Sequence, residues 1–386
     1  MLTSTSDEAF VRRALELARK SFGLASPNPH VGAVLVDREG KVVGEAFHTY
    51  QGVKHAEILA LEQAGDQARG ATLYINLEPC CHHGRTGPCA EALVRAGIAR
   101  VVASMPDPNP VVSGRGFARL RQAGIQVTSG LLDDEARPLN DAFARYIRYR
   151  MPLVTLKAAM TLDGKIAPPP ADAANGSSEA GAPPGGWITG TEARAHVHAL
   201  RHRHDAILVG VGTVIADNPL LTDRSGLARR RPLVRVVLDS HLRLPLQSRL
   251  ARSAAGDVLV FCSSADEKSK RRFEERGIPV ERISPPGPDG RPGLDSVCRR
   301  LAEREITSVM IEGGARVNGT ALDSRAADKV CFYYSPRILA GTASVPFASG
   351  RGFRNLSEAP QVKSFRLERV GEDFLLEGYV RDPYLD

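Results

Sequence analysis

The chain has 386 residues, 42% hydrophobic and 25% charged, with a formal net charge of +7. That length favours two domains, and the balance is ordinary for a soluble globular protein with two packed cores. The positive charge suits nucleic acid or a phosphorylated small molecule; however, no basic run is interleaved with aromatics as single-strand binders require, and no stretch nears the roughly 18 apolar residues of a membrane span.

Residues 1–20 carry acids early and lack a long apolar stretch, which predicts no signal peptide. Phe10, Ala14, Leu17 and Ala18 fall at helical spacing and predict the buried face of a first helix. Strands are expected at 31–36, 41–45, 71–77, 99–104 and 125–128, and helices at 55–63, 89–96, 116–123 and 139–149. Strands alternating with helices imply a central sheet packed by helices on its faces. A second α/β series begins at Pro152, with strands near 153–158, 206–211, 233–238, 258–262, 308–311 and 329–334 and a helix over 192–203. The boundary is placed at Arg150, giving domains 1–150 and 151–386. Residues 168–186 are almost wholly Pro, Ala, Gly and Ser and predict a flexible surface insertion, with 284–293 a shorter loop of the same kind. Arg229, Arg230 and Arg231 precede an apolar strand and read as a solvated loop.

Three of the six cysteines, Cys80, Cys81 and Cys89, crowd into ten positions, which points to metal rather than disulfides in a cytoplasmic protein. His55-Ala56-Glu57 combines with Glu78-Pro79-Cys80 and Cys89. One imidazole and two thiolates give three ligands to a tetrahedral Zn²⁺ and leave the fourth position to water, which becomes nucleophilic near neutral pH. Glu57, two residues beyond His55, is placed to shuttle protons without binding metal. This is the zinc-deaminase pattern, His-x-Glu followed by Pro-Cys and a further Cys, except that eight residues separate the cysteines here rather than two. A closed structural zinc site is the plainer alternative, with Cys81, His82 or His83 as fourth ligand, but such a site has no use for the acid at 57. A nucleic-acid base deaminase and a zinc-stabilised binding protein without catalysis are the other rivals.

Further residues narrow the choice. Ser26-Pro27-Asn28-Pro29 before Val31-Gly32, His48 and Gly52 before His55-Ala56-Glu57, the run from Glu78 to Thr86, and Met105 to Pro110 followed by Gly114-Arg115-Gly116 resemble the deaminase half of the RibD family. These are the bifunctional deaminase–reductases of riboflavin biosynthesis, and the long loop between the cysteines has that family's length. Lys157 to Lys165, Trp187-Ile188-Thr189, Ile207 to Thr222, Leu238-Asp239-Ser240 and Ile311 to Gly314 resemble its reductase half, so the likeness runs over nearly the whole chain. Without it the second domain says less. Gly210-Val211-Gly212-Thr213 and Glu312-Gly313-Gly314-Ala315 are Gly-rich turns at strand ends, able either to cradle phosphate or simply to pack closely, and there is no Gly-x-Gly-x-x-Gly fingerprint.

The resemblance implies a cytidine-deaminase-like three-layer zinc domain followed by a dihydrofolate-reductase-like α/β domain that uses NADPH. Carried over by position, Ala159, Trp187, Thr213, Asp217, Ser240, Gly314, Ala315, Arg316, Val317, Asn318, Gly319 and Thr320 would contact NADPH. Lys157, Arg201, Leu221, Arg224 and Glu312 would serve the phosphoribosyl substrate in the second site, and Asn28, His48 and Arg85 the pyrimidine in the first. Gly185 stands where the family places a substrate-binding serine, two residues before Trp187, which raises a working deaminase joined to an impaired reductase as a third reading. The implied partner is a phosphorylated aminopyrimidine, with no nucleic acid or membrane, in an enzyme that could form a homo-oligomer.

Overall fold

The computed structural model describes residues 4–83, 87–169, 185–287 and 289–385. The chain forms two compact units, Met1–Arg150 with Ala228–Arg231, and Met151–Leu227 with Pro232–Asp386. Among the described residues no helix is long and apolar enough to cross a membrane.

The first unit runs α1 (Ser4–Arg19), β1 (Gly32–Val36), β2 (Val42–Phe47), α2 (Ala56–Ala64), β3 (Thr72–Leu77), α3 (Cys89–Ala96), β4 (Arg100–Met105), α4 (Arg115–Gln122), β5 (Gln126–Ser129) and α5 (Asp133–Tyr149). Its five strands take the order β2-β1-β3-β4-β5, antiparallel around β1 and parallel from β3 to β5. Every residue of β1 is buried, because helices cover both faces of the sheet. The register shows which helix covers which face. Leu35 pairs with Gly44, so these two share a face, and Gly32, an odd number of residues from Leu35, points to the other. A Cβ on Gly44 would lie 2.2 Å from the Ala60 carbonyl of α2, and one on Gly32 would lie 2.1 Å from the Ala14 carbonyl of α1. Helix, sheet and helix therefore stack as three layers.

Helix α1 buries Ala14, Leu17 and Ala18 as its spacing predicts, while Phe10 is only half-buried and meets the Tyr74 ring at 5.0 Å. Helix α5 starts six residues earlier than expected. Pro138 lies inside it, and Asn140 leaves helical geometry at φ −117°, so the apolar period is legible only beyond that kink. The Arg229–Arg231 segment is half-buried rather than solvated. The Arg230 amide donates to the Gly23 carbonyl at 2.8 Å, and its guanidinium stacks 3.9 Å over the Tyr50 ring, which takes the place of hydration.

The second unit runs β6 (Leu153–Thr161), β7 (Lys165–Ala167), α6 (Thr191–Arg203), β8 (Ala206–Gly210), α7 (Val211–Asp217), β9 (Val234–Leu238), α8 (Arg249–Arg252), β10 (Val258–Cys262) and α9 (Glu267–Glu274). It continues with β11 (Val280–Arg282), α10 (Leu294–Glu303), β12 (Ser308–Ile311), α11 (Ala315–Asp323), β13 (Lys329–Ser335), β14 (Val345–Pro346), β15 (Lys363–Val370) and β16 (Asp373–Tyr379). Nine strands form one sheet in the order β11-β10-β9-β8-β12-β6-β13-β16-β15. The run from β11 to β13 is parallel, and the β15–β16 hairpin closes one edge antiparallel. Alternate residues feed opposite cores. Ile207 and Val209 pack with α6 on one face, while Ala206 and Leu208 pack with α10 on the other.

The hairpin is fastened to the sheet by charge. Glu377 of β16 bonds Lys329 of β13 at 2.8 Å and Arg366 of β15 at 2.6 Å. Burial alone would raise this carboxyl, but the two cations reverse the shift and hold it at about 2.

Candidate active sites

In the first unit three donor atoms converge. His55 Nδ1 lies 3.1 Å from Cys89 Sγ and 3.5 Å from Cys80 Sγ, and all three ligand atoms lie within 4.8 Å of one another. Zn–N and Zn–S bonds of about 2.0–2.1 and 2.3 Å at a tetrahedral angle set the N···S edge at about 3.5 Å, so the trio fits zinc in chemistry and in span. Cys81, Cys89's other near neighbour in sequence, takes no part in the cluster.

Two helix starts build this geometry. His55 is the N-cap of α2 and Cys89 the first residue of α3, so unpaired N–H groups and the positive ends of both helices surround the sulfurs. The chain between Cys80 and Cys89 loops back on itself. The Cys89 amide donates to Cys80 Sγ at 3.3 Å, and the Ala90 amide donates to the Cys80 carbonyl at 3.0 Å. Hydrogen bonding from Cys89 brings the Cys80 thiol down to about 4. Cys89, sharing its proton with Cys80, is pushed well up. Hydrogen bonding to Cys80 lifts His55 to about 9. A thiolate is therefore at hand for a cation.

Glu57, buried on the first turn of α2, lines the same cavity of about 250 Å³ as His55 and Cys80. Burial raises its carboxyl, with His55 acting against that shift. Asn28 and His48 line the same cavity, the His48 ring meeting that of His55 edge-on at 5.4 Å. His48 Nδ1 donates to the Lys54 carbonyl at 2.9 Å, so a neutral ring accepts at Nε2 from Asn28 Nδ2, also at 2.9 Å. Asn140 keeps the Asn28 loop in place through the His30 amide at 2.7 Å, and Asn76 does so through the His30 carbonyl at 2.8 Å. His82 also lines the cavity, whereas Arg85 lies outside the described residues.

Sequence reasoning gave no role to Asp107, Asn109 or Glu78. Asp107 and Asn109 line the cavity after β4, and burial raises the Asp107 carboxyl to about 7. Glu78 accepts from the amides of Asp107 at 3.1 Å, Gly114 at 2.8 Å and Phe117 at 3.1 Å. One buried carboxylate thus anchors the loop that carries Asp107 beside the strand end that carries Cys80. The only cue was their place in the motifs that resemble the family.

Gly116 is part of this joint, because a Cβ there would lie 2.0 Å from the Pro79 carbonyl, next to Cys80. Gly116→Ala is expected to displace Cys80, lower the zinc content of the purified protein, and cost about 1–3 kcal/mol of stability. Metal analysis and urea unfolding check this; full zinc at unchanged stability would contradict it.

In the second unit a cavity of about 560 Å³ opens at the carboxyl ends of β8, β9 and β12. Thr213, Ser240 and Thr320 line it, together with Gly314 through Val317. Asn318 and Gly319 do not. Asn318 is buried and donates to the Phe347 carbonyl at 2.8 Å, and Gly319 packs against the Ser349 backbone. Side chains along a helix point to different faces, so the run 314–320 turns some side chains to the cavity and others inward. Ala159 packs against the core on β6, Trp187 lies under the Arg194 guanidinium at 4.8 Å, and Asp217 is exposed at the end of α7; none of the three lines this cavity.

Beside the cavity's β12 end, Glu312 joins two cations. Its carboxylate takes Arg201 at 2.8 and 3.0 Å and Lys157 at 3.4 Å, and Arg201 also donates to the Thr222 carbonyl at 3.0 Å. Leu221 is buried at φ +57°, Arg224 is exposed, and Gly185 is exposed at φ +86° beside 170–184, which lie outside the described residues.

Two family descriptions match the chain: the cytidine and deoxycytidylate deaminase zinc-binding region over residues 4–105, and the RibD C-terminal domain over 152–376. The riboflavin biosynthesis protein RibD of Aquifex aeolicus is 40% identical over 370 residues, spanning 96% of this chain and 97% of that protein. That of Escherichia coli is 38% identical over 381 residues, spanning 96% and 98%. The crystal structure of a diaminohydroxyphosphoribosylaminopyrimidine deaminase/5-amino-6-(5-phosphoribosylamino)uracil reductase from Thermotoga maritima superposes with a TM-score of 0.78 at 37% identity, covering 97% of this chain and 99% of that one. Acinetobacter baumannii RibD gives 0.79 at 34% identity, with coverage of 97% and 99%. With a zinc-type cluster in one half, a nucleotide-sized cavity in the other, and likeness along nearly its whole length, the chain belongs to the RibD family of riboflavin-biosynthesis deaminase–reductases.

Proposed function

We propose that the first unit removes the 2-amino group of 2,5-diamino-6-(5-phosphoribosylamino)pyrimidin-4(3H)-one as ammonia, and that the second reduces the ribosyl group of the product to ribityl with NADPH, in the cytoplasm. The observation that carries the first half is the convergence of His55, Cys80 and Cys89 on one cavity with the buried carboxyl of Glu57. His55, Cys80 and Cys89 would hold zinc. Bound zinc supplies Lewis acidity that makes water nucleophilic at neutral pH. Glu57 takes a proton from the water and delivers protons to the ring nitrogen and the departing amine. Asn28 and His48, which line the same cavity, orient the pyrimidine, and Arg85 suits the phosphate because its planar fork pairs two oxygens at once.

In the second unit NADPH supplies the hydride. Gly314 to Val317, Thr213, Ser240 and Thr320 line the cavity that would receive it. Opening the ribosyl ring to an imine creates the carbon that accepts hydride, and the imine nitrogen takes up a proton. Arg201, Lys157 and Glu312 sum to one positive charge beside that cavity, which favours an anionic phosphoribosyl group. Leu221 and Arg224 complete the proposed substrate side, and Gly185 supplies backbone alone.

The test is to give the zinc-loaded protein the diaminopyrimidine with and without NADPH and to identify products by mass. The deaminated uracil alone is expected without NADPH, and the ribityl compound with it. One product whatever the NADPH removes the reductase half. No ammonia removes the deaminase half.

A further inference from the structure

The cavity of the first unit has a polar share and an apolar share. Asn28, His48 and Glu57 line it together with Val53, Phe143 and Ile147, the last two one turn apart on α5. An amino-heterocycle is polar around its edge and apolar on its two faces, so the polar side chains suit the edge and the apolar ones the faces. The proposed chemistry gives no part to any of the three apolar residues.

Val53 differs from the other two in its backbone. Its φ is +60°, and among the described residues with positive φ it is the one with a β-branched side chain. The branched Cβ crowds the backbone in that conformation, whereas a glycine would adopt it freely. The Lys54 amide donates to the Gly52 carbonyl at 2.6 Å, so Val53 is the centre of a three-residue γ-turn, a form that is rare and strained at positive φ. Hydrogen bonds hold the turn on both sides. The Gly52 amide donates to Thr49 Oγ1 at 3.2 Å, and the Lys54 carbonyl accepts from His48 Nδ1 at 2.9 Å. His55 follows at once as the N-cap of α2. The strained residue thus lies in the short link between His48 and His55, two residues of the site. Strain of this kind persists where the surroundings over-determine it, and it clusters where ligands are held. Val53 is only half-buried, so part of its apolar surface is left over for a bound molecule in the cavity.

We propose that Val53 is a specificity-determining residue of the deaminase. Its isopropyl group packs on a face of the bound pyrimidine, and the strained turn is kept because it holds that group in the cavity. This rests on reading the cavity as the aminopyrimidine site. Glycine at 53 would relax the turn and leave the face uncovered.

The experiment measures ammonia release from the diaminopyrimidine by the zinc-loaded full chain, as wild type, Val53→Ala and Val53→Gly. NADPH oxidation with the deaminated intermediate serves as a control on the second unit. Val53→Ala keeps the strain and removes two methyl groups, so KM for the diaminopyrimidine should rise by about 5–15-fold while kcat changes by less than about twofold. Zinc content and NADPH oxidation should stay at wild-type values. Val53→Gly should raise KM at least as far, yet zinc release in urea, followed with a coloured zinc indicator, should have its midpoint at or above that of the wild type. An unchanged KM in Val53→Ala overturns the proposal and leaves the deaminase reading standing. So does a lower urea midpoint in Val53→Gly, or a loss of zinc in either variant, since the valine would then serve packing alone. A wild-type protein that releases no ammonia removes the deaminase reading and the proposal with it.

Discussion

Glu57→Gln will lower the deaminase kcat by about 10²–10⁴-fold, the range for losing a positioned general acid–base, while zinc content stays at that of the wild type. Glutamine matches glutamate in size and keeps one hydrogen-bond acceptor, but it cannot carry a proton between water and the pyrimidine. The side chain is buried in the cavity wall and is not one of the three converging donors, so metal binding has no reason to fail. Ammonia release and metal analysis on the same sample decide the matter. Full activity in a zinc-loaded Glu57→Gln protein would reduce the cluster to a structural site. A loss of activity that follows a loss of zinc would show only that the site had been dismantled. KM should change little, because the proton carrier acts in the transition state more than in substrate binding.

The cluster of His55, Cys80 and Cys89 was legible in the sequence because its signal is chemical identity at short range. A His two residues before an acid, and a Pro-Cys followed by a Cys at a helix start, need no knowledge of tertiary packing. The strands buried on both faces were legible for a related reason: β10 and β12 are short apolar runs bounded by turns. The β15–β16 hairpin was not. Seven of the eight residues of β15 are exposed, so neither face imposes an apolar period, and Glu377 with its two cations holds the pair in place of a core.

The cavity walls were legible only in part. Asp107 and Asn109 lie among prolines on a loop with no period to reveal burial, and what aims that loop at the cavity is the carboxylate of Glu78, 29 residues away. Arg291 was hidden in the same manner, since its Pro/Gly-rich segment reads as a surface loop although it borders a cavity. Within 314–320 likeness pointed at every residue alike, and only the helix turn separates Ala315 and Arg316, on the cavity, from Asn318 and Gly319, turned inward.

The largest stability effect is expected at Glu312. Its side chain is 10% exposed, Arg201's 12% and Lys157's 11%, so removing the carboxylate leaves two cations facing each other with little water. Glu312→Gln should cost about 3–5 kcal/mol, the range for breaking a buried pair by deleting one partner, because the amide nitrogen presents a donor where both neighbours are donors. Reduction should be lost with it, as the arrangement that would hold the phosphoribosyl group disperses. The pH dependence separates this from a general packing defect. Burial pushes the Glu312 carboxyl up, but Arg201 and then Lys157 overcome burial and hold it at about 2, below the ordinary 4.5. A depressed folded value stabilises fully above the unfolded value and is lost as pH falls through the folded one. The stability gap between wild type and variant should therefore be constant above about pH 5 and close as pH falls from about 4.5 towards 2. Glu377, also held at about 2, is common to both proteins and cancels in the difference. Trp187, the single tryptophan, belongs to the second unit, so its fluorescence in urea follows that unit through the measurement. A gap that persists unchanged to pH 2 would mean that the lost stability came from packing and that the carboxylate's charge contributes nothing.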